Sequence, residues 1–93
     1  MYLEIVTPEA ILFSSEIVSV SVPGMDGQFQ LLDNHAAIVS TLKDGEIKIE
    51  SPQAKLDELY ADKFTKTKDG QFLYAINSGT LELNNNKVII LAD

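Results

Sequence analysis

The chain is 93 residues long, 45% hydrophobic, and carries seven Lys and Arg against fourteen Asp and Glu, a net charge of −7. That is one small domain with enough apolar residues for a core, and its acidity argues against nucleic acid or an anionic membrane surface as a partner. With no cysteine, disulfides, thiolate metal sites and cysteine nucleophiles are excluded.

From the N-terminus the dominant period is two. Leu3 and Ile5 share a face with Tyr2, Glu4 and Val6 opposite, and Thr7-Pro8-Glu9-Ala10 breaks the run. Ile11-Leu12-Phe13 resumes it. Ser14-Ser15 then reads as a bulge that bends the chain from one sheet to another, before an alternation that sets Val18, Val20 and Val22 on one side. Pro23-Gly24-Met25-Asp26-Gly27 is a turn, because it combines a fixed φ with two permissive glycines. Phe29 and Leu31 alternate with Gln28 and Gln30, and Asp33-Asn34-His35 precedes the uncharged run Ala36 to Leu42. Lys43-Asp44-Gly45 turns the chain into Glu46-Ile47-Lys48-Ile49-Glu50, a half-buried strand.

Ser51-Pro52 fits an N-cap followed by proline at the first helical position. Leu56, Leu59 and Tyr60 then fall at helical spacing, which predicts a short helix over residues 52 to 61 inside an insertion. Phe72 to Ile76 and Thr80 to Leu83 return to strand, and Asn84-Asn85-Asn86 suits a hairpin into Val88-Ile89-Ile90-Leu91. Many short strands at nearly regular spacing predict a mainly β fold, a sandwich or small barrel, in a single domain over residues 1 to 93.

The candidate chemistry is sparse. His35 is the only histidine, and Asp33 the only acid within reach of it; a hydrolase reading would add Ser40 or Ser78 as nucleophile, without any Gly-x-Ser-x-Gly elbow. A turn between two strands explains Asp-Asn-His more simply, since Asp and Asn favour turns. Metal loops and phosphate loops have no counterpart, so no catalytic, cofactor or metal residue is expected. The N-terminus has neither a basic region nor a long apolar stretch, and no run is long enough to span a membrane. A cytoplasmic compartment is the default.

The order of segments resembles the epsilon subunit of bacterial F-type ATP synthases. The resemblance rests on the glycine turn from Val22 to Gln28, the corner Asn34-His35-Ala36-Ala37, and the strand Gly45 to Ile49. It closes on Ser78-Gly79-Thr80-Leu81-Glu82-Leu83 and on Val88 to Asp93. It covers the chain except about residues 51 to 71. The corner proline of the family is Ala37 here, and one glycine of its Gly-Gly pair is Ser78 or Thr80. The chain stops at Asp93, where many members continue into two C-terminal helices.

The resemblance implies a flattened ten-stranded β-sandwich of the short type, without the helical domain. It implies a non-catalytic subunit at the foot of the central stalk, bound to the gamma subunit and the c-ring and peripheral on the cytoplasmic face of the plasma membrane. There it would help ion-driven rotation, by protons or sodium ions, to drive ATP synthesis. It makes Gln28, Asp33, Asn34 and His35 the ring-facing residues, and places Ala10, Leu42 and Lys43 near the edge of the gamma-facing sheet. No ATP binding is expected of the sandwich. Two other readings remain open at this point: a free-standing β-sandwich adaptor, and a small hydrolase using Asp33 and His35.

Overall fold

The computed structural model describes residues 1–52, 56 and 59–93. Ten strands run through the described residues: β1 (Tyr2–Val6), β2 (Ile11–Glu16), β3 (Ser19–Gly24), β4 (Gly27–Leu32), β5 (Ile38–Leu42), β6 (Gly45–Glu50), β7 (Thr65–Lys66), β8 (Gln71–Ile76), β9 (Gly79–Asn84) and β10 (Lys87–Ala92). Hydrogen bonding passes through them in the order β2-β1-β10-β9-β5-β3-β6-β8-β7, with β4 on the other edge of β3. The link between β5 and β3 is a single pair, Gly24 opposite Leu42. That link divides the ladder into two five-stranded layers, β2-β1-β10-β9-β5 and β4-β3-β6-β8-β7. β1 and β10 are parallel; every other pairing is antiparallel.

Alternation builds the core as the sequence predicts. Leu3, Ile5, Val20, Val22, Leu31, Ile47, Ile49, Leu81, Leu83, Val88 and Ile90 are all buried between the layers, while their strand neighbours, apart from Ser19 and Pro23 on β3, are partly or fully exposed. Asn85 and Asn86 take φ of 51° and 61°, the positive angles of a two-residue hairpin between β9 and β10.

Two local expectations are corrected, and a third lies partly outside the described residues. The bulge is at Leu12 rather than at Ser14-Ser15: Ile5 pairs with Phe13 and Val6 with Ile11, so Leu12 is the extra residue. Its effect is to bury consecutive side chains, Leu12 and Phe13, on one face. Val18 is not part of the Val20-Val22 face. It lies exposed between β2 and β3, and Ser19 is buried instead, its hydroxyl bonded to Glu50 Oε1 (3.2 Å) and Gln30 Nε2 (3.3 Å). Half of the helix expected over residues 52 to 61 falls on residues 53–55, 57 and 58, which lie outside the described residues. Of its described positions, Pro52, Leu59 and Tyr60 are in turns, and a 3-10 turn follows at Ala61–Lys63. That segment is tied to the core by Phe64, whose ring packs on Phe13 (6.1 Å) and Tyr74 (5.1 Å).

Candidate functional site

The sandwich has two ends. One gathers the start of β1, the β9–β10 hairpin and residues 33–37, which carry the chain from β4 in one layer to β5 in the other. The other gathers the Thr7–Ala10 turn, the Met25-Asp26 turn, Lys43-Asp44 and the start of β9.

At the first end, Asp33, Asn34 and His35 form a turn closed by the His35 N–H on the Leu32 carbonyl (3.3 Å), with Asn34 at φ 64°. Asparagine tolerates that angle better than most residues. The turn is clamped from across the fold. The Asn86 side-chain amide accepts the Asn34 N–H (2.8 Å) through Oδ1 and donates through Nδ2 to Asp33 Oδ1 (2.8 Å). The Met1 ammonium donates to the same Asp33 oxygen (2.9 Å) and to Glu16 Oε2 (3.2 Å). The nearby ammonium, with Asn86 second, holds the Asp33 carboxyl below its ordinary range. Asp33 in turn raises the pKa of the Met1 amine.

The polar groups of this corner are bonded to one another. The Asp33 oxygens serve Met1, Asn86 and Asn34, and His35 Nδ1 lies 2.7 Å from the Ala36 carbonyl; because a carbonyl only accepts, that bond is made with the proton on Nδ1. The Asp33–His35 pair needed by the hydrolase reading is therefore not formed. Ser40 Oγ bonds the Thr41 carbonyl, and Ser78 bonds Asp93 at the opposite end. Among the described residues no group of three His, Cys, Asp or Glu could hold a metal ion.

The residues singled out in the sequence do not all meet. Asp33, Asn34 and His35 come together, exposed. Gln28 stands at the other end of β4, where it shares a groove with Lys43, Pro23 and Leu73. Leu42 is in the core at 1% exposure, so a partner at that edge meets its exposed neighbours Thr41 and Lys43 rather than Leu42 itself. Ala10 is half-buried against the core. The sequence reading missed Met1 and Asn86. The positive φ tolerated by Asn86 was visible as a hairpin signal, but nothing in the sequence links it to a turn 53 residues away.

The molecule is similar to known proteins along its whole length. The model of the family described as ATP synthase, Delta/Epsilon chain, beta-sandwich domain matches residues 1–93. The ATP synthase epsilon chain of Campylobacter concisus is 39% identical over 93 residues, all of this chain and 60% of that protein. That of Chlorobium limicola is 34% identical over 91 residues, covering 98% of this chain and 86% of the relative. The chain thus spans about 60% of the length of the Campylobacter relatives it matches. In fold it resembles a chain of the Tetrahymena thermophila mitochondrial ATP synthase central stalk and c-ring, with a TM-score of 0.70 at 16% identity over 99% of this chain and 62% of the other. A chain of the Euglena gracilis mitochondrial ATP synthase gives 0.72 at 17% identity over 97% of this chain and 48% of the other. With ten strands, two layers and a family match from first residue to last, the chain belongs to the ATP synthase delta/epsilon β-sandwich family.

Proposed function

We propose that the chain is a non-catalytic subunit of the central stalk of an F-type ATP synthase, linking the gamma subunit to the c-ring so that ion-driven rotation is coupled to ATP synthesis. The observation that carries this reading is the match to the family over all 93 residues, with relatives named as ATP synthase epsilon chains. Among the described residues no helix is long and apolar enough to cross a membrane. The subunit is placed here as peripheral, on the cytoplasmic face, held to the membrane through its partners.

The clamped corner supports a docking role. A loop that must present the same atoms at every encounter gains from being held in advance, since less order has to be imposed on binding. Asp33 acts as the strut, and Asn34 and His35 are the displayed groups that face polar loops of the ring. Gamma lies along the edge that carries Ala10, Thr41 and Lys43.

Mixing the purified chain with the gamma subunit of the same organism at micromolar concentration, followed by size exclusion, tests the assignment. Co-elution is expected, because a specific stalk contact binds at least that tightly. Separate elution would refute it. Orientation is tested with the ring: His35→Ala weakens association with the c-ring and Gln28→Ala does not. The opposite result turns the sandwich end for end.

A further inference from the structure

We propose that the outer edge of β5 is a strand-addition site, taking an extended, uncharged segment of the stalk partner into backbone pairing with Val39 and Thr41. The inference rests on the stalk reading above and says how that partner is held.

The direction of the backbone groups follows from one hydrogen bond. The Lys43 N–H donates to the Pro23 carbonyl (2.9 Å), away from β9 and toward β3. Successive residues of an extended strand alternate the side to which their N–H and C=O point. Thr41 and Val39 therefore point the same way as Lys43, while Leu42, Ser40 and Ile38 point at their β9 partners Gly79, Leu81 and Leu83. On that outer side β5 pairs only at Leu42, with Gly24. Among the described residues no strand pairs with the stretch from Ile38 to Thr41 there.

The facing wall is a second open edge. Proline has no N–H, so Pro23 opposite Gln28 is a non-hydrogen-bonded pair of the β3–β4 ladder. By the same alternation the backbone groups of Gln28 and Gln30 face outward. Between the two edges lies a groove of about 480 Å³, lined by Gln28 and Phe29 of β4, by Val39 and Thr41 of β5 and, at the turn between β3 and β4, by Asp26.

Charge selects the occupant. The chain is 23% charged, yet β4 and the run from Ala36 to Leu42 contain no charged residue. Asp26, at one end of the groove, would repel an acidic segment, and a charge laid along the uncharged strand walls would be desolvated without a counter-ion, whereas a neutral segment is not penalised. Val39, 78% exposed, is the most exposed large hydrophobic among the described residues and offers the apolar contact flanking the new ladder. The edges on the opposite flank are guarded in the ways that discourage added strands. β7 is two residues long and carries Lys66, and β2 is bulged at Leu12 and ends on Glu16. Neither β4 nor β5 has a charge, a proline or a register shift.

Backbone amide exchange of the chain, alone and with purified gamma subunit, reads the edge directly. On adding gamma, the Val39 and Thr41 amides should slow by about tenfold or more, while Ser40, already paired with β9, changes little. Val39→Lys should weaken gamma binding by about tenfold or more with an unchanged melting temperature, and Val39→Thr should bind normally. Gamma binding with Val39 and Thr41 exchanging as in the free chain overturns strand addition and leaves the stalk reading standing. Failure of the unmodified chain to bind gamma overturns both. Slowing of the same amides by self-association, without gamma, assigns the edge to a second copy and overturns the proposal.

Discussion

β10 and β5 are built from similar residues and meet opposite fates. β10, Lys87–Ala92, carries Val88, Ile89, Ile90 and Leu91; β5, Ile38–Leu42, carries Ile38, Val39 and Leu42. β10 lies between β1 and β9, so its backbone is paired on both sides and Val88 and Ile90 are fully buried. β5 has β9 on one side and only the Gly24 contact on the other, and Val39 stands in solvent. Face decides which side chains enter the core, Val88 and Ile90 of β10 and Leu42 of β5 alike. On the outward face a strand on both sides leaves Ile89 half-buried, whereas Val39, open on one side, is 78% exposed and remains available to a partner.

The largest effect that could break this comparison is in the core. Ile90→Ala should cost about 2–5 kcal/mol of unfolding free energy, because it removes a buried side chain and leaves a cavity. Val39→Ala should stay within about 0.5 kcal/mol, as exposed positions do. Denaturant unfolding of the two variants side by side measures the contrast, and equal losses would refute it.

The next effect lies where the start of β9 packs against the end of β10. A Cβ on Gly79 would stand 2.5 Å from the Leu91 carbonyl oxygen, inside any tolerable contact with backbone. Gly79→Ala should therefore cost about 1–3 kcal/mol through forced backbone movement. A melting temperature equal to that of the unsubstituted chain would show that the β9–β10 pairing yields more easily than its central position implies.

Smaller again is the clamp on the corner. Asn86→Gly keeps the positive φ that alanine would strain but removes the amide that holds Asp33 and Asn34. A loss of about 0.5–1.5 kcal/mol is expected. The Asn34 and His35 amide resonances should shift, with those of β10 beyond the turn unchanged.

The smallest effect is the pH dependence of the same latch. Asp33 has its pKa lowered in the fold, so its contribution is present above the ordinary carboxylate value of 3.8 and is lost as pH falls through the folded value below it. The Met1 amine has its pKa raised, so its contribution is complete below 8.0 and is lost as pH rises through the folded value above it. Between those limits the corner resonances should hold steady. Asp33→Asn should abolish the acid transition and return the amine toward its ordinary value. Asp33 is open to solvent, which screens the pair, so the change in global stability is small.

Much of this fold is legible in the chain itself. Leu3 and Ile5, Ile47 and Ile49, and Val88 and Ile90 announce their strands because side chains alternate across a sheet that is wet on its outer face. The asparagine run announces its hairpin because few other residues accept positive φ twice in succession. What local pattern could not show was fixed across the fold. Ser19 is buried because Glu50 and Gln30 satisfy its hydroxyl, and Leu12 is bulged because Phe13 and Ile11, on either side of it, pair with consecutive residues of β1. Asp33 is exposed and is also a strut, because Asn86 and Met1 reach it from far along the chain. Gln28 and His35 are only seven residues apart, but β4 runs the length of the sandwich and carries them to opposite ends.

The central claim is that this sandwich couples the rotor to ATP synthesis, and the most direct test uses the assembled complex. Membrane vesicles of the source organism, depleted of the subunit, would be energised with an ion gradient and assayed for ATP synthesis before and after the purified chain is added back. The account predicts that synthesis is lost on depletion and returns on addition, and that Val39→Lys and His35→Ala restore it poorly. Synthesis at the full rate in vesicles lacking the chain would contradict it.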